Sequence, residues 1–140
     1  MKDRIYSELL PEARQDKTSC MSNTKWCKLF WAIENNGKCS FPAELKLLWE
    51  ERTYPFSTNP GVDESREYTK DSGIQGPVAF RDIEWIYIPS IREVGRYNRD
   101  EKLKSKFVHY DLGVLKELMD NLGKFEYDFD ADGLKIYGFR

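Results

Sequence analysis

The chain has 140 residues, 40% apolar and 33% charged, which suits one domain with one core and excludes most multidomain architectures. Twenty-two Lys and Arg against 24 Asp and Glu leave a net charge of -2, so there is no global basic field to hold a nucleic-acid backbone. Eight Phe, eight Tyr and four Trp supply large apolar area and exclude a disordered composition.

No stretch approaches the roughly 20 apolar residues of a membrane span, and the opening MKDRIYSELLPEARQDKTSC lacks the apolar run of a signal peptide. Cys20, Cys27 and Cys39 cannot all pair and form no C-x-x-C, which fits a reducing cytoplasm. With His109 as the single histidine, no tetrahedral zinc site can be assembled, and no cofactor is expected.

In chain order, residues 1–21, interrupted by Pro11, read as an N-terminal extension to a single domain over 22–140. Ser22-Asn23-Thr24 offers N-caps to a helix whose face is Trp26, Leu29, Phe30 and Ile33. Asn35-Asn36-Gly37 should stop it, Gly37 taking the left-handed conformation. Residues 45–49 predict a short strand, with a helical turn the alternative for so brief a run. Three prolines and three glycines between 53 and 77 predict a long exposed connection, in which Tyr54, Phe56 and Tyr68 pin parts to the core or form a strand of their own. Val78 to Ile88 is the strongest strand signal, central in the sheet and ended by Pro89.

Residues 92–106 carry six basic side chains (Arg92, Arg96, Arg99, Lys102, Lys104, Lys106) against three acidic ones and read as a mobile, solvated connection. Asp111 caps a second helix with Leu112, Leu115, Leu118, Met119 and Leu122 on one face and Gly123 at its end. Phe125, Tyr127 and Phe129 then alternate with Glu126, Asp128 and Asp130, and Asp132-Gly133 turns the chain into 134–139. This terminal hairpin would keep Phe129 in the core. The fold class is α+β: a mostly antiparallel sheet packed with two main helices and closed by a C-terminal β-hairpin.

Three fragments carry a family resemblance: Asn23-Thr24-Lys25-Trp26, Ile83-Glu84-Trp85-Ile86, and residues 133–139, GLKIYGF. In this order they resemble a small bacterial family, domain of unknown function 6678, over about residues 22–140. The resemblance implies a bacterial source and a compact α+β fold, and transfers no catalytic residue.

Asp128-Phe129-Asp130-Ala131-Asp132-Gly133 matches the opening of a calcium loop, with Asp128, Asp130 and Asp132 as candidate ligands, but Phe139 stands where the bidentate Glu belongs. Residues 117–132 hold six carboxylates and one lysine, a net of -5. That asymmetry makes Glu126, Asp128, Asp130 and Asp132 candidates for binding another protein, of basic character, as an inhibitor or immunity-type protein would. Solvation of an outer face and protection of an edge strand explain the charge as well. An acid/base enzyme using Glu84, His109 or Asp111, its pocket closed by the 53–77 loop, is the alternative from another class. Glu84 in so apolar a strand calls for a partner such as Arg81 or a lysine. Nucleic acid and membrane are not expected partners, whereas a homo-oligomer pairing the basic and acidic segments is open.

Overall fold

The computed structural model describes residues 17–70, 76–94 and 106–140. Helix α1 (Asn23–Asn35) begins where Ser22 accepts a hydrogen bond from the Lys25 amide at 3.1 Å. It buries Trp26, Cys27, Leu29, Phe30 and Ile33, the face its spacing predicts. The helix ends at Asn36 without a left-handed glycine: Gly37 instead opens a 3-10 turn, Gly37–Cys39, whose Lys38 amide is held by the Asn36 side chain.

Strands β1 (Pro42–Leu47), β2 (Thr53–Ser57), β3 (Ile83–Pro89), β6 (Tyr127–Phe129) and β7 (Gly133–Tyr137) form one antiparallel sheet in the order β2-β1-β3-β7-β6. Strands β4 (Ile91–Val94) and β5 (Lys106–His109) form a separate two-stranded ribbon, and helix α2 (Gly113–Leu122) follows it. Leu45, Ile86, Ile88, Leu134 and Ile136 share one buried cluster with Trp26, Leu29, Phe30 and Ile33 of α1 and Leu115 and Met119 of α2. This is the predicted α+β arrangement, with β3 central and β6–β7 as the C-terminal hairpin. No helix among the described residues is long and apolar enough to cross a membrane.

Several local expectations change. The stretch from residue 53 is not a free connection, because β2 opens it and two isolated bridges, Val62 with Thr69 and Tyr68 with Ala79, fasten it further. Pro55 is tolerated because β2 is an edge strand. Buried Thr58 donates to the Cys39 carbonyl at 2.7 Å and accepts from the Phe41 amide at 2.8 Å, while buried Thr69 accepts from the Val78 amide at 2.9 Å. The strand expected from Val78 starts only at Ile83, since Phe80–Asp82 form a 3-10 turn that drives Phe80 against Phe30, with ring centroids 5.6 Å apart.

The two ends of the basic segment pair as β4 and β5, and its centre, with Arg96, Tyr97, Arg99, Lys102 and Lys104, lies outside the described residues. At the N-terminus, Thr18 exchanges two 2.9 Å backbone hydrogen bonds with Arg140, and Cys20 donates to the Gly138 carbonyl at 2.8 Å. Residues 18–20, read as part of an extension, thus pair with residues 138–140, just beyond the last strand. Phe129 is also displaced from expectation: it is 43% exposed, because it ends a three-residue edge strand and lines a surface cleft in place of the core.

Candidate functional site

Glu84 sits where the pairing of β1 with β3 slips between Lys46 and Leu47, so that Lys46 faces Trp85, Leu47 faces Ile83 and Glu84 has no partner on β1. Such a bulge re-aims a side chain. The Glu84 carboxylate, only 3% exposed, is gripped by the ammonium groups of Lys17 and Lys46. Burial pushes its pKa up, but the two lysines outweigh that and hold the carboxyl below its ordinary range. The expected lysine partners are therefore present, whereas Arg81 points to Asp82, its Nε 4.0 Å from Oδ1. Asp82 is itself buried, and its Oδ1 has no hydrogen-bond partner among the described residues. Desolvation raises its pKa to about 7. Sequence reasoning missed Asp82, because strand alternation across 78–88 does not reveal a 3-10 turn that buries a carboxylate.

The other acid/base candidates do not join Glu84. His109 is exposed at the end of β5, opposite Ile91. Asp111 accepts from the Gly113 amide at 3.1 Å and so holds the first turn of α2. The tip of the 53–77 segment lines a different cleft, of about 570 Å³, beside Trp31, where Arg66 lies 5.4 Å over the indole. Glu84 and His109 line neither this cleft nor the one described next, whereas Asp111 lines the latter.

A cleft of about 470 Å³ does form where three segments meet: Ser90 after β3, residues 110–113 entering α2, and Phe129, Asp130 and Ala131 of the hairpin turn. Ser90 ties it together. Its amide donates to the Asp132 carbonyl at 2.9 Å, its hydroxyl to the Ala131 carbonyl at 2.7 Å, and its own carbonyl accepts from the Tyr110 amide at 2.8 Å. Among the described residues the lining holds two carboxylates, Asp111 and Asp130, and no lysine or arginine. Phe129 in its wall is 43% exposed, and on the ribbon that joins Ser90 to Tyr110 two more large apolar side chains are exposed, Ile91 at 49% and Phe107 at 57%. Ile91 and Phe107 share a ribbon face, because the register sets Ile91 opposite His109 and Phe107 opposite Glu93.

The acidic hairpin splits into two functions. Asp128 accepts from the Tyr137 hydroxyl at 2.7 Å and lies 3.4 Å from Arg140, and the tyrosine bond, with help from Arg140, holds its pKa down. Glu126 also reaches Arg140, at 3.7 Å. Asp130 bridges the turn, accepting from the amides of Asp132 at 2.8 Å and Gly133 at 3.1 Å. These partners account for three of the four candidate partner-binding carboxylates. Among the described residues no group of three or more His, Cys, Asp or Glu is placed to hold a metal ion, so Asp128, Asp130 and Asp132 do not converge as a calcium loop requires.

A family model described as "Family of unknown function (DUF6678)" matches residues 11–140. No curated protein and no solved structure matches the chain.

Proposed function

We propose, for a chain that belongs to this family of unknown function, that it works by binding another protein at the cleft between the ribbon and the hairpin turn. The observation that carries this reading is Phe129, exposed in the cleft wall beside Asp111 and Asp130, with Ile91 and Phe107 exposed on the adjoining ribbon. A two-stranded ribbon of four-residue strands is marginal by itself, and exposed apolar side chains on it gain by being covered. Carboxylates around an apolar centre select a partner with a basic rim, and speed its approach. An inhibitor- or immunity-type role, in which this surface occupies a cationic enzyme, is one form the reading takes. Glu126 and Asp128, already engaged by Arg140, contribute less to it than Asp130.

Quantitative affinity capture from the protein's own cells, with wild-type and Phe129→Ser/Asp130→Lys baits side by side, tests the reading. A partner retained by the wild type and lost from the double variant supports it. Identical capture by both baits would show that this cleft is not the binding surface.

A further inference from the structure

The two edges of the sheet are built differently. On β2 the Thr58 amide donates to the Phe41 carbonyl at 3.0 Å, so alternation turns the backbone groups of Thr53, Pro55 and Ser57 outward, where Pro55 has no N–H to offer. On β6 the Glu126 carbonyl accepts from the Tyr137 amide at 2.9 Å and the Asp130 amide donates to the Gly133 carbonyl at 3.0 Å, so the backbone groups of Glu126, Asp128 and Asp130 are taken up by β7. Those of Tyr127 and Phe129 therefore point out of the sheet, and no described strand or turn pairs with them. Their side chains lie on the helix side, opposite Ile136 and Leu134. Phe129 is 43% exposed because the sheet stops at its edge, and the ribbon cleft opens beside it. Asp111 and Asp130 in that cleft each engage backbone amides through Oδ1, which leaves Oδ2 unpaired among the described residues.

We infer that β6 takes up an extended strand of the partner protein, antiparallel to it, with an apolar side chain over Phe129 and a lysine or arginine reaching Asp111 and Asp130. Strand addition of this kind draws affinity from main-chain hydrogen bonds and specificity from alternate side chains. Tyr127 and Phe129 offer it two donors and two acceptors. The partner residue opposite Phe129 covers the exposed ring, and the residue two before it, about 7 Å along, stands over the cleft. Two carboxylates and no lysine or arginine among the described lining residues select a basic side chain there. Glu126 and Asp128 are not needed, since Arg140 already engages them. A second copy is a poor occupant. Antiparallel pairing of two β6 strands through Tyr127 and Phe129 would set the carboxylates of Glu126, Asp128 and Asp130 against those of the other copy, and pairing of β6 with β2 would meet Pro55. The inference rests on the cleft as a protein-binding surface and adds how the partner is held.

An amide-resolved NMR titration of the isotope-labelled full chain with the capped peptide Thr-Lys-Thr-Val-Thr-Val-Thr, whose lysine stands two before a valine, reads strand addition directly. The amides of Tyr127 and Phe129 should shift saturably and exchange with solvent about tenfold more slowly, while those of Thr53 and Ser57 stay unchanged. Tyr127→Pro removes an outward N–H that Tyr127→Ala keeps, so it should bind the peptide about fivefold more weakly than the alanine variant. Replacing the peptide's lysine by glutamate should weaken binding about tenfold. No shift at Tyr127 and Phe129 of wild type up to about 2 mM peptide, or equal binding of the glutamate peptide, overturns the inference whatever the proline variant does. Affinity capture separates it from the cleft reading: a cellular partner lost from Phe129→Ser/Asp130→Lys but held equally by folded Tyr127→Pro and Tyr127→Ala would remove the strand and leave the cleft standing.

Discussion

Asp82 and Glu84, two residues apart, respond to pH with opposite sign. The Asp82 carboxyl, raised from an ordinary 3.8 to about 7 by desolvation, keeps its proton in the folded state over a range where the unfolded chain has lost it. Stability should therefore fall as pH rises through that window, by up to about 4 kcal/mol, and level off above it. Asp82→Asn removes the titration, so its denaturant midpoint should exceed that of wild type at pH 8 and the two should converge near pH 4. Glu84 is held below its ordinary 4.5, so its contribution is present above that value and disappears as pH falls through the lowered one. Glu84→Ala leaves Lys17 and Lys46 facing each other without a counter-charge and should cost about 2–4 kcal/mol at pH 7 in urea unfolding. Phe129→Ser, at a side chain already 43% exposed, should change stability by less than about 0.5 kcal/mol.

At the scale of elements, the two helices and the hairpin were legible because each is set by local periodicity. Trp26, Leu29, Phe30 and Ile33 mark α1 as surely as Leu115 and Met119 mark α2. What was not legible depends on distant contacts. Pro55 and its neighbours look like loop until β1 supplies a partner, and Asp82 looks strand-like until Phe80 packs on Phe30. The bulge at Glu84 has a signal only in three dimensions: the amides of Gly138 and Phe139 both donate to its carbonyl, at 2.8 and 3.0 Å. That geometry needs glycine at 138, because a Cβ there would stand 2.0 Å from the Ile83 carbonyl oxygen. Gly138→Ala should therefore lower stability by about 2 kcal/mol or more, seen as a lower thermal midpoint in circular dichroism. For the candidate site, the acidic charge could be read from residues 126–132, but the cleft could not. It depends on Ser90, forty residues away, joining the hairpin turn to the entry of α2.

Over the whole molecule the near balance of 22 basic and 24 acidic residues conceals faces of different character. Rings interleaved with paired cations and carboxylates lie on the open sheet, whereas the exposed Phe129 lies with Asp111 and Asp130 at the ribbon cleft, whose lining among the described residues holds no lysine or arginine. Family membership places no activity on either face, so the central claim is the protein-binding cleft, and its physical signature is apolar burial steered by charge. The most direct measurement is the equilibrium affinity of the captured partner, purified, for wild type and for Phe129→Ser/Asp130→Lys at low and high salt. The account predicts at least tenfold weaker binding by the variant, and a salt dependence shallower than that of wild type. Affinity and salt dependence unchanged in the folded double variant would contradict it.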